Sequence, residues 1–295
     1  MSRFLDPSVL AGLSGLDLVA RTVVDGFVAG LHRSADFGFS QEFAEYRAYA
    51  PGDDLRHVDW NVFARTERMY LKRYQGETNS LLTLLLDASN SMQFASHAVS
   101  KLNYARYMAA AISYLAIRKQ RDAAGLLVFD DCVREFIRPS TRPGQLQRLL
   151  AGLELAEPRA RTRFDLPMQH LLALLRRRGI IIVFSDFYET AESVIRAIEP
   201  LRFRGNEVVL FHILDPGEVA PEVGAGALLV DLETGARIEV TGDFAASEYR
   251  RRIAAHIEAL REGARRAGMS YQLLVTDRPL DAALREYLAI RQGRP

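Results

Sequence analysis

From residue 81 onward the chain alternates short, wholly apolar runs with longer stretches in which apolar residues recur every three or four positions. The runs Leu81–Leu86, Gly125–Phe129, Ile180–Phe184, Glu207–Ile213 and Tyr271–Val275 are strongly apolar. A strand with polar residues on alternate positions has one wet face; a strand without them is expected to be covered on both. Between the runs, Tyr104, Tyr107, Met108, Ala111, Ile112 and Leu115 mark one face of a helix over 101–119. Further helices are expected at about 144–155, 164–177, 190–203 and 244–267, and from 279. Val133–Ile137 follows the Asp130-Asp131 turn and is expected to be an edge strand returning in a hairpin. A second, smaller hairpin is expected at 227–240, where Glu233-Thr234-Gly235 separates two short apolar runs. This alternation predicts an α/β fold, a doubly wound and mostly parallel sheet with helices on both faces.

Upstream the pattern changes. Leu16, Val19, Val23, Phe27 and Leu31 give an amphipathic helix over 14–31, with Ser14 and Asp17 as a capping pair. Residues 32–78 carry paired opposite charges and turn formers, which predicts short strands and ordered loops rather than helix. The expected organisation is an N-terminal helix and strand/loop extension over 1–79, packed on a main domain over 80–295 with a hairpin insertion near 215–243.

Composition narrows the function classes. Lys and Arg number 38 against 37 Asp and Glu, so no whole-chain field steers the protein toward nucleic acid or an anionic membrane, and any partner must be recognised locally. Arg176-Arg177-Arg178 reads as a solvated helix end. Cys132 is the only cysteine, which excludes an intrachain disulfide framework and an all-cysteine zinc site. The six histidines show no metal spacing, and neither a dinucleotide-binding nor a P-loop glycine pattern occurs. The start lacks a basic stretch followed by an apolar core, and apolar runs such as Ile180–Phe184 are far too short to span a bilayer. A cytoplasmic protein without direct membrane insertion is expected.

The candidate chemistry lies where strands end, because loops converge beyond the carboxyl ends of an open parallel sheet. The first strand runs into Asp87-Ala88-Ser89-Asn90-Ser91, and the fourth ends in Ser185-Asp186. Thr162 precedes the helix feeding the fourth strand and offers a third hydroxyl, with Thr141 as its rival. Asp87, Ser89, Ser91, Thr162 and Asp186 are all oxygen donors, a set suited to Mg²⁺, Mn²⁺ or Ca²⁺ rather than to zinc. The same loop could instead be a plain cap whose serines satisfy helix-terminal amides.

The elements Asp87-Ala88-Ser89-Asn90-Ser91, Thr162 and Ser185-Asp186-Phe187 resemble the metal-ion-dependent adhesion site of von Willebrand factor A domains, with Phe187 in place of the usual glycine. Upstream, Arg47-Ala48-Tyr49, Gly52-Asp53-Asp54-Leu55-Arg56 and Asp59-Trp60 are similar to the signature of the DUF58 family, and Asp215-Pro216-Gly217-Glu218 to its downstream marks. The resemblance implies an adaptor or co-chaperone beside a MoxR-type AAA ATPase, with client proteins or other von Willebrand factor A proteins as further partners. Read from the residues alone, Arg47, Asp53, Asp54, Arg56, Asp59 and Trp60 either staple a loop onto a domain or form an interaction surface. Two functions therefore compete: a non-enzymatic, metal-dependent interaction module, and an Mg²⁺-dependent phosphatase-like hydrolase with Asp87 as nucleophile. Ser89 stands where such hydrolases usually carry a second aspartate, which favours the former.

Overall fold

The apolar runs become one six-stranded sheet. In a computed structural model the described residues are 5–31, 43–49, 58–66, 68–74, 80–159, 161–220, 227–230, 237–240 and 243–292. The chain divides into two units, residues 1–28 with 80–295, and residues 29–79. Helices α1 (Pro7–Leu10) and α2 (Leu16–Leu31) come first. The smaller unit then follows with β1 (Phe43–Ala48), α3 (Trp60–Thr66) and β2 (Tyr70–Tyr74).

The larger unit resumes with β3 (Leu81–Asp87), α4 (Lys101–Tyr114), β4 (Ala123–Phe129) and β5 (Val133–Ser140). Next come α5 (Gln145–Leu155), α6 (Asp165–Leu174), β6 (Ile180–Ser185), α7 (Ala191–Phe203) and β7 (Glu207–Leu214). A four-residue helix α8 (Pro216–Val219), the strands β8 (Ala227–Val230) and β9 (Arg237–Val240), helix α9 (Asp243–Arg266), β10 (Ser270–Val275) and α10 (Asp281–Gln292) complete it. The sheet order is β10-β7-β6-β3-β4-β5. Only β5 is antiparallel. All of β4 and β6 and nearly all of β3 and β7 are buried, as their lack of alternation requires.

Backbone proximity explains two glycines in this sheet. A Cβ on Gly125 would lie 2.6 Å from the Ile137 carbonyl oxygen and the Pro139 nitrogen, so β5 folds directly over β4 at a register irregularity. One on Gly179 would lie 2.3 Å from the Leu81 oxygen. Helix α2 buries Val19, Ala20, Val23, Val24 and Phe27. Its first turn is anchored by Glu154, whose carboxylate accepts from the Leu16 amide at 3.1 Å.

Three expectations are corrected. The helix expected over 101–119 is α-helical only to Tyr114 and closes in a π-turn over Leu115–Lys119. Helix α6 stops at Leu174, three residues before its expected end at 177, and leaves the arginine triplet in the connection to β6. In the segment expected to hold only strands and loops, α3 forms. Asp59 starts it, accepting from the Val62 amide at 3.3 Å while its own amide donates to the Tyr70 carbonyl at 2.9 Å.

Candidate functional site

The chain crosses from β3 to β4 on one side and returns to β6 on the other, so β3 and β6 are neighbours at the point where the strand order reverses. Ligand crevices open there in doubly wound sheets. The register Leu86↔Phe184 places Asp87 beside Ser185. Asp87 is fully buried and its carboxylate is surrounded by donors. Oδ1 accepts from the Ser89 amide at 2.9 Å. Oδ2 accepts from Thr162 Oγ1 at 3.1 Å and Ser185 Oγ at 2.5 Å. Ser89 and Ser91 share a hydroxyl hydrogen bond of 3.1 Å. Both are buried, as is Thr162.

Three separate segments thus bring Asp87, Ser89, Ser91, Thr162 and Asp186 to one end of the sheet. Thr141, the rival for the third hydroxyl, is exposed and follows the end of β5 that pairs with the start of β4, at the opposite end. The arginines flanking Thr162 turn outward: Arg161 is exposed, and Arg163 pairs with Asp165 at the surface at 2.9 Å.

The electrostatics are dominated by burial. Desolvation, then the neighbouring charge of Asp186, raise Asp87 to about 7, against the hydrogen bonds from Ser185 and Ser89. Asp186 is equally buried, and among the described residues its Oδ1 has no hydrogen-bond partner. Its Oδ2 accepts from Lys101 Nζ at 2.7 Å. The same ammonium donates to Glu218 Oε1 at 2.6 Å. Burial alone would pull Lys101 down, but the Asp186 and Glu218 carboxylates outweigh it and hold the ammonium above its usual value. Burial pushes Glu218 up, with Lys101 pulling against it. Two buried carboxyl groups, Asp186 and Glu218, therefore share one buried cation, and Asp87 lies beside Asp186.

Lys101, Glu218 and Ser185 were not among the sequence candidates. Lys101 opens α4, where a cation faces the unfavourable end of the helix dipole, and that misplacement was the available signal. Glu218 closes a capping box with Asp215, its Oε2 accepting from the Asp215 amide at 2.9 Å. Asp215 in turn holds the loop before α4 through the Ser96 amide at 2.9 Å. Phe94 and Tyr188 place their rings over the Lys101 ammonium, at 5.9 and 5.1 Å, and Tyr188 remains 50% exposed at the rim.

Phe187 follows Asp186 in a left-handed conformation, φ 48°. Its ring stacks on Phe164 with centroids 5.5 Å apart, and its carbonyl accepts from His256 Nε2 on α9 at 2.9 Å. The Asp186 loop is thereby fixed from two sides. Of the upstream signature, Asp59 is buried and caps α3, whereas Trp60 is 55% exposed and meets Phe63 edge-on at 6.0 Å. Arg47 lies in β1 opposite Leu71, and Asp53, Asp54 and Arg56 lie outside the described residues.

A family model described as "Protein of unknown function DUF58" matches residues 45–263. The chain belongs to the DUF58 family. Among relatives of this DUF58 chain, the Uncharacterized protein Rv1480 of Mycobacterium tuberculosis is 29% identical over 97% of the chain and 91% of its own length. The BatB crystal structure from Bacteroides thetaiotaomicron is similar at 16% identity, covering 73% of this chain and all of that one, with a TM-score of 0.50. The VWA domain of SpRpn10 is similar at 12% identity over 71% and 95% of the two chains, with a TM-score of 0.40. The DUF58 chain has a von Willebrand factor A-like fold, in agreement with the doubly wound sheet. None of its described helices is long and apolar enough to cross a membrane.

Proposed function

We propose that this DUF58 protein is a non-enzymatic interaction module whose strand-end site docks an acidic side chain of a partner protein through a divalent cation. The observation that carries the reading is one oxygen of a buried cluster of oxygen donors: among the described residues the Asp186 Oδ1 has no hydrogen-bond partner, while Lys101 is shared between Asp186 Oδ2 and Glu218. A buried carboxylate oxygen left without a hydrogen bond is costly, and a hard cation relieves that cost with the ligand types present. Asp87, Ser89, Ser91, Thr162 and Asp186 are the residues that would hold it. When bound, such an ion supplies an open electrophilic position for an incoming carboxylate.

The protein's own residues do the rest. Ser185 and the Ser89 amide orient Asp87, Lys101 fixes Asp186 through one oxygen and leaves the other available, and Tyr188 and Phe94 flank the entrance with aromatic surface. The alternative, Asp87 as a phosphate-accepting nucleophile, fits less well. Both its oxygens are engaged by donors and it is fully buried, whereas a nucleophilic carboxylate needs a free, charged oxygen toward substrate.

A MoxR-type AAA ATPase, the partner implied by the family resemblance, is the candidate supplier of the acidic residue. Calorimetric titration with Mn²⁺ and capture of that ATPase with and without chelator test the reading. Binding of both by the wild type, and of neither by Asp87→Asn, is expected. Unchanged capture in chelator would refute metal-mediated docking, and phosphate release abolished by Asp87→Asn would install the hydrolase reading instead.

A further inference from the structure

Away from the strand-end site, at the other end of the strands, the larger unit carries a cluster of arginines around an exposed aromatic ring. The carboxyl ends gather Asp87, Asp186 and Glu218. The amino ends of β6 and β7 gather arginines. Arg176, Arg177 and Arg178 are exposed in the connection from α6 to β6, and Arg202 and Arg204 flank Phe203 at the end of α7. These two stretches touch: Arg204 Nη1 donates to the Leu172 carbonyl at 2.7 Å, and the Arg178 side chain lies against Gly205.

Two of these arginines have a structural task. Arg202 and Arg204 satisfy carbonyls at the ends of neighbouring helices, Arg202 Nε donating to Gly268 at 2.8 Å. That task leaves the triplet and Phe203 unexplained. Among the described residues none of Arg176, Arg177, Arg178 and Arg204 has an ion pair. Glu207 is the half-buried carboxylate at the start of β7, and Glu262 on α9 is taken by Arg265 and Arg266. Phe203 is 79% exposed, more than any other large apolar side chain described. It is also firmly placed, because Gly205 at φ 83° ends the helix with its amide on the Arg202 carbonyl at 2.8 Å.

An exposed aromatic ring on a fixed helix end, among guanidinium groups without ion pairs, matches an interface with phosphate headgroups above and hydrocarbon below. Single-stranded nucleic acid would use the same charges, but its bases stack on aromatic platforms along a groove, and the exposure of Phe203 leaves no groove walls around it. We propose that this edge rests on an anionic phospholipid surface, with Phe203 at headgroup level and Arg176, Arg177, Arg178 and Arg204 on the phosphates. The strand-end site then faces away from the membrane.

Co-sedimentation of the full chain with phosphatidylcholine vesicles, with and without added phosphatidylglycerol, tests this. Binding is expected only with phosphatidylglycerol and is expected to fall with salt. Replacing Arg176, Arg177 and Arg178 by Ser should weaken it about a hundredfold, from the attraction each basic residue contributes near such a surface. Phe203→Ser should weaken it several-fold, and Leu155→Ser, at the opposite end, should leave it unchanged. A Phe203→Trp variant should gain a blue-shifted emission over the wild type on these vesicles. Equal binding to both vesicle types, an unshifted Phe203→Trp spectrum, or an effect of Leu155→Ser as large as that of Phe203→Ser overturns the proposal. So does binding of single-stranded DNA through the triplet without any vesicle binding.

Discussion

At the scale of single residues the decisive group is Lys101, an ammonium with no exposed surface that is shared by two carboxylates. Removing one member of a buried ion pair leaves an uncompensated charge, at a cost of about 3–5 kcal/mol. Lys101→Met should therefore lower the urea-unfolding free energy by roughly that amount. Glu218→Gln in the same chain should recover part of the loss, and strict additivity would show that the two groups are not coupled. His212 offers a test through pH. Burial, then His256 and Lys101, depress it to about 3, so the unfolded chain takes up a proton that the folded chain refuses. Its contribution is present above pH 6.5 and is lost as pH falls toward 3, at up to about 1.4 kcal/mol per pH unit. The wild type should lose stability faster than His212→Phe between pH 6.5 and 5 in paired denaturation curves. Asp87 acts in the opposite direction, but it is common to both proteins and drops out of the difference. The candidate donors could be named at this scale only from their place after buried strands, because serine, threonine and aspartate are also ordinary turn and cap residues. Lys101 and Glu218 were not, because their meeting depends on contacts spanning 117 positions that no local pattern encodes.

At the scale of elements, the strands could be read because burial on both faces leaves an unbroken apolar run. Helix α3 could not, since its start depends on Asp59 being held by the Tyr70 carbonyl across the smaller unit. Phe187 illustrates how two effects compete within one loop. Its left-handed backbone costs about 1–2 kcal/mol that glycine would avoid. Deleting a buried phenyl ring costs about 3–5 kcal/mol. Phe187→Gly should therefore be destabilised, by roughly 1–4 kcal/mol, and a gain in thermal stability would show that the ring packs less tightly than its contacts with Phe164 and His212 imply. Gly125→Ala should also destabilise, by about 1–3 kcal/mol, because the backbone of β5 must give way. Loss of hydrogen-exchange protection confined to β4 and β5 would locate the damage there.

At the scale of the whole molecule, the α/β alternation over 81–292 was legible, while the residues that receive the N-terminal helix were hidden. Helix α2 resembles many amphipathic helices in its spacing, and only the folded chain reveals its partners: Glu154 at its first turn, Lys119 beside Asp25, and Arg285 over the Phe27 ring at 5.7 Å. A chain beginning at residue 29 should consequently expose the surface that α2 covers. It should bind a hydrophobic dye and unfold with a broadened transition, and a sharp transition at the wild-type temperature would show the helix to be dispensable. The same arrangement bears on how the protein is made. Helix α2 leaves the ribosome well before the carboxylate that receives it is translated, and Arg285 follows later still. Until then this greasy segment lacks the surface it packs on, so chaperones that shield nascent chains are its natural early company, and a helix made early settles late.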